Sequence, residues 1–255
     1  MHRQLVVGSD PAVSDPELGE CRAALQDDGY FIRRNAVPRE TIAALREALS
    51  RLLEPEGRPG ETVFETIVRL HRGGDKALYR LHELSKDLAA MNSLRQTCAA
   101  WAAALLGPDR LLLDVNSHVI FSIPDDDRSM WSWHQESSYD VFEGDGINFC
   151  VPVFEPATRE NGTMSLLKGS HKLGPLPFDK QRPENGSTTL LPRGIEQLVA
   201  DREEVHFIAE PGDLIGFDRD LVHRSNRNRS PRPRVTAVVQ FAVIDRIPES
   251  MQLPY

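Results

Sequence analysis

Cysteine is scarce in this 255-residue chain: only Cys21, Cys98 and Cys150 are present, an odd number without paired spacing. That excludes a disulfide-stapled scaffold and leads us to expect a reducing, cytoplasmic setting. Long hydrophobic runs are missing as well, since none reaches the ~18 residues that a membrane-spanning helix needs. The first twenty residues lack the apolar segment of a secretory signal. Positive charge is in deficit: 30 Lys and Arg against 38 Asp and Glu give a net charge of -8, and the isoelectric point is near 5.5. This balance argues against nucleic acid or an anionic membrane as a partner. There are no internal repeats and no low-complexity segments. What remains is a globular composition, 40% hydrophobic, able to fill a sizeable core.

The chain reads as helices followed by strands. Helical patterning is expected over about 15–28, stopped by Gly29, then after Pro38 in RETIAALREALSRLL, and again in KALYRLHELSKDLAAM and SLRQTCAAWAAALLG. Residues 54–62 read as a loop and YFIRRNAV as a short strand. From residue 111 the period changes to that of strands: LLLDVNSHVIFSI, INFCVPVF, TMSLLKG, VHFIA, DLIGFD and VTAVVQFAVI, punctuated by Gly, Pro and Asn. With no βαβ alternation, the expected class is α+β, mainly β, with an antiparallel jelly-roll core. We expect one domain over 1–255, a loose tail at 1–12, and a Pro/Gly-rich connection at 173–203 that reads as a lid loop.

The chemistry-bearing residues are His134 and Glu136 in WSWHQESSYD, with His223 far downstream. Two imidazoles and a carboxylate can hold one face of a ferrous ion and leave three positions open. On a strand, positions i and i+2 share a face, which would let His134 and Glu136 grip one metal together. Arg234, eleven positions after His223, offers a guanidinium suited to a carboxylate. Arg224, Arg227, Arg229 and Arg232 crowd the same segment and read mostly as solvated, with some able to attract an anion. Taken singly, His-x-Glu also fits a polar strand edge, and His223 a core histidine.

Four segments together resemble the phytanoyl-CoA dioxygenase family of Fe(II)/2-oxoglutarate oxygenases: DGYFIRRNAVPRE, WHQE, ENGTMSLLKGSHKLG and PGDLIGFDRDLVHRSNRNRSPRPR. They occur in the family's order and span roughly residues 25–244. The resemblance implies iron ligands at His134, Glu136 and His223, and a 2-oxoglutarate clamp at Arg234 with Ser225 as a second contact. It also implies O2 as oxidant, succinate and CO2 as co-products, and a double-stranded β-helix with the N-terminal helices packed outside. The chain departs from the family in carrying Glu136 where Asp is usual and Cys150 where Trp is common. Retention of a carboxylate ligand disfavours a halogenase.

Asn116 and His118 are expected on one face of the strand over 111–123, in contact with cosubstrate or substrate. Thr163 and Ser165 are further cosubstrate candidates, while Trp133, Tyr139 and Phe142, with Trp131, would wall the substrate pocket. Gln135 and His171 read as structural, and His71, His82 and His206 have no supporting context. The function this implies is oxidation, by default hydroxylation, of a small metabolite or natural-product intermediate, with a homodimer left open. The rival is a non-catalytic jelly-roll that binds a ligand or structural metal in the same pocket.

Overall fold

Gly29, at φ +86°, and Gly107, at φ +125°, stop two helices in backbone conformations that a side chain disfavours. Between and beyond them the computed structural model describes residues 5–6, 15–74, 76–127, 130–139, 144–181 and 188–244. In chain order the elements are β1 (Leu5–Val6), α1 (Asp15–Asp28), β2 (Tyr30–Arg33), α2 (Arg39–Leu53), α3 (Val63–Gly73), α4 (Lys76–Ser85) and α5 (Ala89–Leu106). The strand-rich half follows with β3 (Leu112–Asp114), β4 (His118–Ser122), β5 (Gly146–Pro152), β6 (Ser165–Leu167), β7 (Phe178–Gln181) and β8 (Thr189–Pro192). It ends with α6 (Ile195–Asp201), β9 (Glu204–His206), β10 (Leu214–Asp218), β11 (His223–Arg224) and β12 (Arg234–Val243).

Seven strands form one sheet in the order β1-β3-β12-β5-β10-β2, with β4 also paired to β12. All of these pairings are antiparallel. The ten residues of β12 are buried on both faces, and strict alternation divides their work. Val235, Ala237, Val239 and Phe241 pack with Phe149 and Val151 of β5 and with Leu45, Leu49, Leu94 and Trp101 of α2 and α5. The helices therefore cover one face of the sheet. On the other face Cys150, Ile215, Phe217 and Val238 share a cluster with Leu166 of β6 and with Phe207. That contact sets the large sheet against a small one, β11-β6-β9.

Three sequence expectations are corrected, and one helix is added. The strand expected over 111–123 is two strands, β3 and β4, broken at 115–117; both still lie along β12, whose Gln240 carbonyl accepts the Val115 N–H. The loop expected at 54–62 is present, opening with a 3-10 turn at Glu54–Glu56, and is followed by a helix not expected from the sequence, α3, whose start carries a capping box: Thr62 accepts from the Glu65 N–H and Glu65 answers at the Thr62 N–H. That T-x-x-E spacing is legible in the sequence. The connection at 173–203 holds the β7–β8 hairpin and α6, with 182–187 outside the described residues. Within the expected tail, Leu5–Val6 pair with β3. Among the described residues no helix is long and apolar enough to cross a membrane.

One buried acid has a consequence for pH. Asp218, at the end of β10, has its carboxyl pushed up to about 6 by burial, with the Asp220 and Asp145 charges adding and the Asp220 N–H pulling the other way. Between its unfolded value near 3.8 and about 6 the folded chain holds a proton that the unfolded chain has released. Stability therefore falls as pH rises through that window and stays lower above it. Asp218→Asn keeps an oxygen for the Asp220 N–H, which now lies 2.7 Å from Oδ1. It is expected to stabilise the chain by about 3 kcal/mol well above pH 6 and to give little gain near pH 4. Thermal melts at the two pH values check this; an equal gain at both would rule out ionisation as the cause.

Candidate metal and cosubstrate centre

His134 and His223 face one another as a single antiparallel bridge. The His134 N–H donates to the His223 carbonyl at 2.9 Å and the reverse bond is 3.0 Å. Directly opposed residues carry their side chains on the same side, and the two rings stand 4.2 Å apart between centroids. Each ring is then turned by its own backbone. Nδ1 of His134 lies 2.6 Å from the Ser132 carbonyl, and Nδ1 of His223 lies 2.8 Å from the Leu221 carbonyl. A carbonyl can only accept, so both protons sit on Nδ1 and both Nε2 lone pairs are left to point elsewhere.

They point at Glu136. Its Oε1 is 3.6 Å from Nε2 of His134 and 3.3 Å from Nε2 of His223. The three ligand atoms lie within 4.8 Å of one another. Glu136 begins a short 3-10 turn (Glu136–Ser138) rather than continuing a strand. The i, i+2 face-sharing expected for His134 and Glu136 is therefore replaced by a bridge followed by a turn, with the same three residues brought together. Burial alone would raise the Glu136 carboxyl; hydrogen bonds from His134 and His223, made when those rings also carry an Nε2 proton, outweigh it and hold the group well below the usual range, and a metal would take the place of those protons. Burial, joined by the His134 charge, lowers His223 against the pull of Glu136. A carboxylate beside imidazoles with free Nε2 lone pairs is a donor set fitted to a divalent transition metal.

Gln135, fully buried between these residues, ties them down as expected of a structural residue. Its amide donates to the Gly174 and Asp220 carbonyls at 3.0 and 2.5 Å and accepts from the Leu176 N–H at 2.8 Å.

The trio opens into a cavity of about 690 Å³ between the two sheets. Arg234, Thr236, Val238 and Gln240 line it in succession, the alternate residues of β12 that turn away from the helices. Arg234 is 6% exposed. Its guanidinium donates to the Asn161 carbonyl at 3.3 Å, the Gly162 carbonyl at 3.0 Å and Thr236 Oγ1 at 2.5 Å, all neutral acceptors. Burial lowers its pKa to about 10. Among the described residues no carboxylate pairs with it, so a buried cation faces the cavity without a counter-charge. By contrast Arg224 pairs with Glu204, Arg227 with Asp125 and Asp127, and Arg232 with Glu155. Three of the four arginines of that segment thus have internal acids as partners.

The other candidates divide. Ser225 lines the cavity, with its hydroxyl accepting the Trp131 N–H at 2.5 Å. Thr163 lines it too, but its hydroxyl donates to the Phe207 carbonyl at 2.5 Å. Ser165 is engaged by Asn226 Nδ2 at 2.6 Å and His206 Nδ1 at 3.1 Å. Asn116 and His118 both line the cavity, although Asn116 sits in the break before β4 and not on a strand. Tyr139 and Trp131 line it beside His134. Trp133 does not: the chain bends there, and the indole packs with Leu167, Ile195 and Val222 under the Arg224 guanidinium, 4.4 Å from its ring centre. Phe142 lies outside the described residues. His171 is bonded to the Gln26 carbonyl, as a structural residue would be. His71 and His82, given no role from sequence, line the cavity from α3 and α4. Nothing local marks them, because their place depends on where those helices dock.

The family model for "Phytanoyl-CoA dioxygenase (PhyH)" matches residues 25–236. Peroxisomal phytanoyl-CoA dioxygenase of Rattus norvegicus is 27% identical over 221 residues, covering 83% of this chain and 64% of that protein, so the chain spans just under two thirds of that relative's length. Ectoine dioxygenase of Sphingopyxis alaskensis is 24% identical over 98% of this chain and 83% of its own. In fold, the chain resembles the crystal structure of EctD from S. alaskensis with 2-oxoglutarate and 5-hydroxyectoine, at a TM-score of 0.64 and 20% identity, over 95% of this chain and 84% of that one. The matched stretch contains His134, Glu136, His223 and Arg234 together, and the chain belongs to the phytanoyl-CoA dioxygenase family.

Proposed function

We propose that this chain is a non-haem Fe(II)/2-oxoglutarate-dependent oxygenase that hydroxylates a small-molecule metabolite or natural-product intermediate, with succinate and CO2 as co-products. Its two facing antiparallel sheets form, in this reading, the double-stranded β-helix of a single oxygenase domain, with the helices outside. The observation that carries it is the pairing, in one cavity, of a three-ligand trio with a buried guanidinium that has no acid partner among the described residues.

His134, Glu136 and His223 hold the ferrous ion, and Arg234 with Thr236 and Ser225 takes the far carboxylate of 2-oxoglutarate. When bound, ferrous iron supplies the redox chemistry that couples O2 reduction to oxidation of cosubstrate and substrate. The chain's own residues do the rest. The Ser132 and Leu221 carbonyls keep both imidazoles in the metal-binding tautomer. Arg234 fixes the length and direction along which the dicarboxylate lies. Ile120, Phe217 and Val238 present apolar surface that excludes water from the reacting end. The relatives are named for an acyl thioester and for the free metabolite ectoine, so the family leaves the substrate to each chain's own cavity.

The test is succinate release from 2-oxoglutarate in air with Fe(II) and ascorbate. Slow uncoupled turnover is expected without added substrate. No succinate, with 2-oxoglutarate nevertheless bound, would favour the non-catalytic jelly-roll instead.

A further inference from the structure

We infer that the cavity takes an uncharged, ring-bearing substrate that donates hydrogen bonds, lying along a wall built from Tyr79, His82, His118 and Asn116; this rests on the oxygenase reading of the same cavity. Tyr79 is 66% exposed at the mouth and stacks on His82, with centroids 6.3 Å apart and 13° between planes. His82 in turn lies 4.2 Å from His118, which is buried on β4. Three flat side chains thus run from solvent to the interior on one side of the cavity, the surface on which a ring stacks.

This wall is remote from the cosubstrate clamp. His118 pairs with Val238, four residues along β12 from Arg234, or roughly 13 Å at the rise of a strand. A dicarboxylate anchored at Arg234 leaves that end of the cavity to another molecule.

Two polar atoms on the wall are acceptors that await a donor. The Asn116 carbonyl lies 3.1 Å from His118 Nδ1, which fixes that proton and leaves Nε2 as an acceptor. Asn116 Oδ1 is buried and has no partner. An unsatisfied buried acceptor is costly and calls for a donor, an O–H or N–H of the ligand. Burial lowers His118 to about 3 and, with help from Lys86, lowers His82, so both rings are neutral at pH 7. Among the described residues, Arg234 is the only Lys or Arg lining the cavity. The nearby Lys86 is paired with Glu83 at 2.8 Å, so among the described residues the phosphates of an acyl thioester's carrier would find no free lysine on this wall.

Three matched probes separate the elements: indole (ring plus N–H), 1-methylindole (ring alone) and indole-3-carboxylate (ring plus charge). Each is titrated by ligand-observed NMR into the chain carrying zinc and 2-oxoglutarate. Indole is expected to bind at least fivefold tighter than either of the others. Asn116→Leu, and independently Asn116→Ala, should bring indole and 1-methylindole level. Tyr79→Ala should weaken both about fivefold, and Tyr79→Phe should restore them. The proposal is overturned if no indole binds, if the carboxylate binds as tightly as indole, or if indole's preference survives both Asn116 variants. Loss of 2-oxoglutarate binding by the unaltered chain would instead sink the oxygenase reading, and the probes, titrated without it, would still report on the wall.

Discussion

Arg234→Ala is expected to weaken 2-oxoglutarate binding by two orders of magnitude or more while Fe(II) binding is unchanged. The guanidinium is buried, faces the cavity and, among the described residues, is held by two carbonyls and a hydroxyl. Its positive charge is already desolvated before a carboxylate arrives, so the attraction is weakly screened by water. Truncating one partner of such a buried charge pair costs about 3–5 kcal/mol, and each ~1.4 kcal/mol is tenfold in affinity. Arg234→Lys keeps the charge but gives up the planar fork and should fall between the two. Calorimetric titration of 2-oxoglutarate measures the loss. The accompanying rise in melting temperature, which follows from binding to the folded state alone, should vanish with it. Equal 2-oxoglutarate affinity in Arg234→Ala would remove Arg234 from the clamp.

The reach of sequence reasoning differs between the two ends of the cavity. The trio of His134, Glu136 and His223 was legible because its residues are rare types in a specific pattern. Even so, the local argument for Glu136 was incomplete, since the residue sits in a turn. What actually aligns the trio is the register of the His134–His223 bridge, 89 positions apart in the chain. The strand half was legible in outline from period and punctuation. The β3–β4 break was not, because 115–117 keeps an apolar residue and β12 bonds across it. The end of the cavity proposed to take the substrate was the least legible. His71, Tyr79 and His82 belong to amphipathic helices, and helical periodicity says which face is buried but not which surface it meets. Trp131 and Trp133 show the same limit at shorter range: two positions apart, one lines the cavity and the other sits in a separate cluster.

Glu136→Ala and His134→Ala are each expected to abolish Fe(II) retention and all succinate release, with the fold intact. Neither residue belongs to the main hydrophobic clusters, so their removal opens no large void. What is lost is one donor of three, and with Glu136 also the negative charge that draws a dication between two neutral imidazoles. Glu136→Gln separates these effects. It keeps an oxygen near the positions now 3.3 and 3.6 Å from the two Nε2 atoms but removes the charge. If charge dominates, Gln behaves like Ala; if shape dominates, it retains part of the iron. Glu136→Asp tests reach: one methylene less draws the carboxylate back from both rings by about 1.5 Å. It is expected to bind Fe(II) more weakly than Glu, because the turn that presents residue 136 sets the backbone at a distance matched to the longer arm. Metal content after anaerobic dialysis, together with 2-oxoglutarate titration of each variant, gives the comparison. Full iron content in Glu136→Ala would remove the carboxylate from the coordination set and leave the site with two imidazoles only.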